Sequence, residues 1–394
     1  MSRYRLYPSP GQGLVMRVHC SHARFIWNLA VEQQSWWRRG RTSAPGYLEQ
    51  CRQLTEARRE HEWLRTGSQT VQQQAQRDFD QAMRNFYAGT HRRPLFRKAG
   101  RSEGFRIAGM RPAHVRRLNR RAGEVWVPKA GWVRFRWSRA VRGARSYRVT
   151  CDRAGRWHIA FAAIPLPVPA PATGGVIGVD RGVAVSAALS TGELLSVPRL
   201  SPGRQRQLVL LQRRLARAQR GSKRQADVKR AIARLKARDA DARKDWCEKT
   251  STDLARRFDV IRVEDLKIAN MTRSVNGTLA EPGRLVRQKA GLNREISRSG
   301  WGLLVARLEQ KAPGRVEKVS AAFTSQRCSA CGHVAAESRE SQSRFRCTAC
   351  EFALHADVNA AINIAAGHAV HARRADRAAG AVKREPQHHG LLVA

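Results

Sequence analysis

Apolar residues in the first ninety positions recur every three to four residues, which is the period of amphipathic helices. This spacing extends over residues 19–39, 48–65 and 68–88, with glycines at the ends of the first and third stretches. One stripe of a solvated helix faces a core while its other face stays polar, and here the other faces are rich in Arg and Gln. The pattern predicts three packed helices, and a bundle lying on a nucleic-acid backbone is a second interpretation of the same faces.

From residue 92 the apolar period changes to two, the signature of half-buried strands. In residues 132–137, for example, Val133 and Phe135 share one face while Arg134 and Arg136 share the other. Residues 4–10 alternate in the same way and predict one edge strand. We expect a small antiparallel sheet or barrel with a basic outer face. The five predicted strands cover residues 104–108, 125–127, 132–137, 146–151 and 157–164.

A Pro-rich segment over residues 165–175 predicts a linker between this part and a second domain. Beyond it, apolar strands at 176–179, 183–189, 258–266 and 316–319 alternate with helical segments, so the second domain is predicted to be α/β. Two long basic helices are expected over 202–258, broken at Gly221, and further helices over 301–310 and 355–366. Residues 270–300 show weak periodicity and are expected to be mobile, and residues beyond 367 to form a disordered basic tail.

Three carboxylates occupy special places in these elements. Asp180 ends the first strand of the second domain, Glu264 ends a later strand, and Asp357 lies in the first turn of the last helix. A charge at the end of a buried strand is costly unless a metal, a proton or a partner compensates it. Asp180 alone is better interpreted as a cap of the turn before a hairpin, but the three acids together have the hard oxygen ligands of a divalent-cation site. Such sites hold two Mg²⁺ ions about 4 Å apart and cleave phosphodiesters.

Four of the eight cysteines form a second candidate metal site. They occur as two Cys-x-x-Cys pairs separated by fifteen residues: Cys328, Cys331, Cys347 and Cys350. This spacing is typical of a tetrahedral four-thiolate Zn²⁺ site, in which no coordination position remains open, so the zinc is predicted to be structural. Two disulfides are the alternative. Gly332 suits the turn of the first pair, whereas Glu351 stands where the second pair favours glycine.

The charge of the chain points to a polyanionic partner. Its 394 residues include 74 Lys and Arg against 31 Asp and Glu, a net charge of +43. Such a charge opposes compaction unless it is neutralised, and nucleic acid is the expected counter-ion. The first residues lack the apolar core of a signal peptide, and no apolar run approaches membrane-spanning length. Cys20, Cys51, Cys151 and Cys247 are isolated, as in a reduced cytoplasmic protein.

Several motifs together resemble the TnpB (OrfB) family encoded by insertion sequences, which is close kin to the miniature type V CRISPR effectors. The C-terminal signature FTSQRCSACGH, ESRESQSRFRCTAC and HADVNAAINIA is the strongest part of the resemblance. RYRLYPSPGQ, HARFIWNLAVEQ, RRPLFRK, GVDRGV, VEDLKIANM and LNREISRSGWGLL match in the same order, so the resemblance spans residues 3–366.

The resemblance implies an RNA-guided DNA endonuclease whose RuvC domain has the α/β RNase H-like fold with a zinc-ribbon insertion, preceded by a small β-barrel with a helical insert. Asp180, Glu264 and Asp357 correspond to its Mg²⁺-binding catalytic carboxylates. Arg339 corresponds to an arginine that assists at the scissile phosphate, although Ser338 replaces the usual Asn before it. Arg181 also departs from the pattern, because Leu is commoner there.

Domain boundaries follow from this resemblance. They are residues 1–15 and 92–164 for the wedge-like barrel, 16–91 for the recognition insert, 165–175 for the linker, 176–320 and 352–367 for the nuclease, 321–351 for the ribbon and 368–394 for the tail. The expected partners are a guide RNA and double-stranded target DNA, with no membrane and a monomeric protein, at the nucleoid in the cytoplasm of a bacterium or archaeon.

Two other functions remain open. The chain could act as a nuclease-inactive, RNA-guided repressor, which is expected to have lost a carboxylate. It could also act as a transposase that transfers strands directly. A transposase of this kind needs a joining nucleophile such as tyrosine, but all five tyrosines precede the predicted nuclease domain.

Overall fold

The structure is a computed structural model that describes residues 2–36, 44–101, 103–141, 143–163, 166–278 and 281–367. It divides into two compact units, drawn from Met1–Pro165 with Arg206–Ala237 and from Leu166–Gln205 with Arg238–Ala394. The predicted disordered tail, 368–394, lies outside the described residues. Among the helices of the described ranges, none combines the length and the apolar character needed to cross a bilayer.

The first part of the chain forms one strand, four helices and six further strands. In order, these are β1 (Ser2–Tyr7), α1 (Pro10–Ser35), α2 (Tyr47–Glu60), α3 (Glu62–Thr66), α4 (Gln69–Tyr87), β2 (Glu103–Ala108), β3 (Val115–Arg117), β4 (Ala122–Val127), β5 (Gly131–Arg136), β6 (Ser146–Cys151) and β7 (Trp157–Phe161). Helix α1 begins earlier than predicted because Ser9 and Gln12 form a capping box. The predicted helix over 48–65 is interrupted at His61, which separates α2 from α3.

The seven strands form one antiparallel sheet in the order β2-β6-β7-β1-β5-β4-β3. The prediction that the first strand lies at an edge is wrong, since β1 pairs with β7 through its first residues and with β5 through its last. Tyr4 and Leu6 are buried in the core beneath it. A short alternating pattern shows which face of a strand is buried but not whether both edges are paired, so the sequence did not reveal the central position.

The predicted basic outer face is present on β5. Val133 and Phe135 are fully buried, whereas Arg134 and Arg136 are exposed. Phe135 and Phe161 both contact the Tyr4 ring edge-on, at centroid distances of 5.5 and 5.4 Å. Within the described residues the strand order runs linearly from β2 to β3, and closure into a barrel stays a prediction.

The rest of the chain alternates strands and helices, as predicted. In order, these are β8 (Val176–Asp180), β9 (Ala187–Leu189), β10 (Leu194–Leu195), α5 (Pro202–Arg217), α6 (Lys223–Arg257), β11 (Val260–Glu264), α7 (Ile268–Met271), α8 (Val286–Ser299), α9 (Trp301–Lys311), β12 (Val316–Val319), β13 (Arg344–Arg346), β14 (Ala353–His355) and α10 (Ala356–Ala366). The break between α5 and α6 falls at Gly221, whose φ of 83° suits glycine.

The second unit is built on a five-stranded sheet in the order β10-β9-β8-β11-β12. Strands β8, β11 and β12 are parallel, while β9 and β10 form an antiparallel meander at the β8 edge. Ile177, Val179, Ile261 and Val263 are fully buried in its core. Because the three parallel strands point the same way, their carboxyl ends share one edge of the sheet.

The segment expected to be mobile, 270–300, contains a regular helix, α8, which its weak periodicity did not predict. Within this helix only Ile296 and Ser299 are buried, so its apolar face is small. Polar contacts hold the helix instead: Lys289 donates to the Met271 carbonyl oxygen at 2.7 Å and Asn293 to that of Thr272 at 3.0 Å. The spacing of apolar residues does not reveal a helix that is stabilised by polar contacts.

Candidate active site and zinc site

Asp180 and Glu264 lie at the carboxyl ends of two neighbouring parallel strands. Strands β8 and β11 pair in register as far as Val179 and Val263, one residue before each carboxylate. Both acids therefore emerge at the same edge of the sheet, where open α/β sheets bind their ligands. Glu264 is 9% exposed, so its charge is held largely out of water.

Asp357 reaches the same edge from α10. This helix packs so closely on β8 that a Cβ atom at Gly178 would lie 2.0 Å from the Ala361 carbonyl oxygen, which leaves no room for a side chain there. The imidazole Nδ1 of His355 caps the helix by accepting from the Asp357 N–H at 3.2 Å. A Cβ at Gly182, in the turn after Asp180, would lie 3.8 Å from Asp357 Oδ2. The fold thus brings together three acids that are far apart in sequence.

The carboxylates of the candidate site lie near one another and are largely shielded from water, which changes the pKa values of two of them. Burial, followed by the neighbouring charges of Glu264 and Asp357, raises the pKa of Asp180 to about 7, against the opposing charge of Arg339. Burial also raises the pKa of Glu264, although the Thr324 hydrogen bond and the charges of Arg181 and Arg339 lower it. Clustered carboxylates with raised pKa values are a feature of functional sites and favour a bound cation.

Arg339, which the sequence singled out, lies beside Asp357. Its guanidinium donates to Asp357 Oδ1 at 3.2 Å and to the Gln342 carbonyl oxygen at 3.3 Å. Ser338 before it is fully buried, and its hydroxyl oxygen accepts from the Thr348 N–H at 3.2 Å. Arg339 therefore offers a fixed positive charge next to the carboxylates, whereas Ser338 supports the ribbon.

Sequence reasoning missed the residues that orient these groups. The Thr324 hydroxyl donates to Glu264 Oε1 at 2.8 Å, and the Trp301 indole N–H donates to the Gly182 carbonyl oxygen at 3.1 Å. On α10, Asn363 donates to the Thr324 and Arg327 carbonyl oxygens at 3.0 and 2.7 Å. The spacing of Asn359 and Asn363, one turn apart in a helix that is apolar apart from them and Asp357, was a usable signal, since buried amides need partners.

The four predicted zinc ligands converge. Their sulfur atoms all lie within 4.8 Å of one another: Cys328, Cys331, Cys347 and Cys350. Two of the separations are 3.8 Å (Cys328 to Cys350) and 3.6 Å (Cys331 to Cys347). Four sulfurs placed about 2.3 Å from a tetrahedral Zn²⁺ lie about 3.8 Å apart, so the geometry matches zinc. Among the described residues this is the one group of three or more such side chains whose ligand atoms lie this close together.

The two cysteine pairs form equivalent turns. Gly332 donates its N–H to the Cys328 carbonyl oxygen at 3.0 Å, and Glu351 donates to that of Cys347 at the same distance. Both residues have left-handed backbones, with φ of 79° at Gly332 and 58° at Glu351. The prediction that the second turn favours glycine is borne out by this conformation. A side chain in this region is strained relative to glycine.

Replacing Glu351 by glycine is therefore expected to stabilise the zinc-bound chain by up to about 1 kcal/mol, because the left-handed backbone costs a non-glycine residue about that much. The matched reverse change, Gly332→Glu, is expected to destabilise it by a similar amount. The thermal midpoint and the rate of zinc release to a chelator measure both effects. Equal shifts of the same sign in the two variants would contradict this account of the turns.

The fold and the family follow from comparison with known proteins. The structure matches the chain in a cryo-EM structure of a Cas12f1–sgRNA–target DNA complex with a TM-score of 0.53, over 91% of this chain and 83% of that chain, at 14% identity. The architecture is therefore that of the Cas12f-like proteins. Residues 301–364 also match the Cas12f1-like TNB domain.

Within that class, the chain belongs to the OrfB (TnpB) family of insertion-sequence proteins. Residues 158–275 match the OrfB family of IS605, described as "Probable transposase", and residues 2–42 match its helix-turn-helix domain. The chain is 35% identical to the "Putative RNA-guided DNA endonuclease InsQ" of Escherichia coli K12, over 93% of this chain and 92% of that protein. It is 30% identical to a "Putative RNA-guided DNA endonuclease" of Streptomyces pristinaespiralis, over 98% and 96%. The predicted family is thus confirmed.

Proposed function

We propose that this chain is an RNA-guided DNA endonuclease of an insertion sequence and that it cleaves DNA at Asp180, Glu264 and Asp357. The observation that carries the proposal is the convergence of these three acids at one edge of the five-stranded sheet. The names of two full-length relatives support the activity. The strand order, an antiparallel meander beside three parallel strands, supports the RuvC-type, RNase H-like fold for this unit.

The three carboxylates would hold two Mg²⁺ ions. Hard oxygen donors suit Mg²⁺, and the crowding that raises the pKa of Asp180 is relieved by cations. When bound, such ions activate a water molecule and stabilise the leaving oxygen of a phosphodiester. The chain itself orients Glu264 through Thr324, holds the turn after Asp180 through Trp301, and places the Arg339 guanidinium where it can contact a phosphate oxygen.

The zinc ribbon positions part of this site. It lies between β12 and α10, and its residues bond to that helix: Asn359 accepts from the Ser329 N–H at 2.9 Å and donates to the Arg327 carbonyl oxygen at 2.8 Å. The zinc would stabilise the ribbon, and the ribbon in turn fixes the start of the helix that bears Asp357. No open coordination position remains for chemistry at the zinc.

The partners in this proposal are a guide RNA and double-stranded DNA, with a monomeric protein acting at the nucleoid. Base pairing with the RNA would select the target, while the protein recognises duplex shape and a short flanking motif. The test is to purify the chain from its host, sequence the bound RNA and assay cleavage of a duplex that the RNA matches, with Mg²⁺ present. A chain freed of RNA that cuts the same site with the same selectivity would refute guidance. Guided binding without cleavage would instead support a repressor, and strand joining would support a transposase.

The basic surfaces give a separate prediction about affinity. Arg206, Arg213 and Arg217 are exposed and share one face of α5, as Arg134 and Arg136 do on β5. If they contact phosphates, changing Arg213 and Arg217 to Gln should weaken nucleic-acid binding equally for every guide. The slope of log affinity against log salt should fall by about two. Binding titrations at several salt concentrations measure this, and Arg298→Gln, which removes an arginine already paired with Glu295, is the control.

A further inference from the structure

Arg181 is a buried cation beside the candidate active site. Its residue is 6% exposed, and among the described residues its Nε–H has no hydrogen-bond partner. A buried guanidinium with an unmet donor is costly to the fold. Its position immediately after Asp180 places this cost beside the candidate carboxylates.

Arg181 forms its hydrogen bond just beyond the paired part of strands β8 and β11. The ladder between β8 and β11 stops at Val179 and Val263. Beyond that point Asp180 pairs with Ala188 of β9, and Glu264 pairs with Val319 of β12. The Arg181 guanidinium donates to the Glu264 carbonyl oxygen and so adds a side-chain link between the ends of the two strands.

The backbone on either side of Arg181 is also fixed. Asp180 is held by its pairing with β9, and the carbonyl oxygen of Gly182 accepts from the Trp301 indole. Arg181 therefore has little freedom to leave the site. Its charge stays beside Asp180 and Glu264, and with Arg339 it sets two positive charges against three carboxylates.

We infer that Arg181 is a positioning residue with two linked effects: it fixes the separation of Asp180 and Glu264, and its permanent charge limits the affinity of the site for Mg²⁺. The charge count of a site tunes its affinity for divalent cations. Small displacements of reacting groups lower the rate steeply. This inference rests on the proposed metal site.

The test compares Arg181→Met and Arg181→Lys with the control Arg298→Met, whose side chain is 46% exposed and lies in the same unit. Thermal midpoints of the chain purified with its RNA are measured in EDTA and over a Mg²⁺ titration. Asp180→Asn serves as the reference for Mg²⁺ effects on the RNA. Relative to wild type, Arg181→Met should melt lower in EDTA, because the carboxylates lose a counter-charge, and should gain more from Mg²⁺.

Cleavage assays provide the second readout. Arg181→Met should reach half-maximal rate at a Mg²⁺ concentration lower by about threefold or more. Its maximal rate should nevertheless fall about tenfold, because the strand ends are no longer bridged. Arg181→Lys keeps the charge and should restore the wild-type Mg²⁺ requirement while its rate stays below that of wild type. A purely structural role predicts equal losses of thermal midpoint with and without Mg²⁺.

The outcomes separate this inference from the proposed function. Two results would overturn the role of Arg181 and leave the metal site intact. In the first, Arg181→Met matches Arg298→Met in every measurement. In the second, the thermal midpoint of Arg181→Met is lowered by the same amount in EDTA and in Mg²⁺. A wild-type chain that gains no more from Mg²⁺ than Asp180→Asn contradicts the metal site, and the inference with it.

Discussion

Replacing Asp180 or Glu264 by alanine is expected to reduce DNA cleavage by at least about a thousandfold, the order expected when one member of a set of groups that act together is removed. Binding of RNA and target DNA should change little, because in the proposed function these acids act in the chemistry and the basic surfaces contact the phosphates. Single-turnover cleavage and equilibrium binding, measured on the same preparations, separate the two effects.

The neighbouring acid provides the control for this prediction. Asp265 follows Glu264 directly, but its side chain is 44% exposed and pairs with Lys267 at 2.6 Å. Asp265→Ala should therefore cleave at close to the wild-type rate. Substantial cutting by the Asp180 or Glu264 variant would remove that residue from the site, and an equal loss in the Asp265 variant would indicate a general effect of charge.

The second large effect is expected at the ribbon. Cys328→Ser should lower the zinc content by about one ion per chain and unfold the ribbon, because a structural zinc contributes on the order of 10 kcal/mol to such small domains. Cleavage should be lost as well, since α10, which bears Asp357, is bonded to the ribbon through Asn359 and Asn363. Metal analysis, thermal unfolding and cleavage assays measure the three consequences.

Cys151→Ser is the matched control, because Cys151 lies at the end of β6, in the first unit, and is not part of the cysteine cluster. It should keep its zinc and its activity. An intact wild-type chain without zinc would contradict the assignment. Full cleavage by a zinc-free Cys328→Ser chain would show that Asp357 does not depend on the ribbon.

The elements that position the candidate site were largely predictable because their signals are local. Val316–Val319 is a strand with the predicted bounds, and α10 differs from its prediction by one residue. In each case an apolar run or a capping residue lies within the element itself. The spacing of the two Cys-x-x-Cys pairs likewise predicted a four-sulfur cluster, and the sulfur atoms converge as predicted.

What the sequence did not reveal depends on partners distant in the chain. The central place of β1 is set by β5 and β7, more than a hundred residues away, and α8 is held by polar contacts with Met271 and Thr272. Arg181 could be recognised as unusual, but its bond to the Glu264 carbonyl oxygen required the ends of both strands to be placed. The role of Thr324 was hidden for the same reason.

The order of the three acids along the chain has a consequence for synthesis on the ribosome. Strands β8 and β11 emerge well before α10, so Asp180 and Glu264 can be in place while Asp357 is still missing. The basic helices α5 and α6 are made earlier than β11 and α10, so, if these helices bind RNA, a nascent chain would bind it before the three acids are assembled. A chain interrupted before α10 would carry these basic helices and two of the acids, without the helix that bears Asp357.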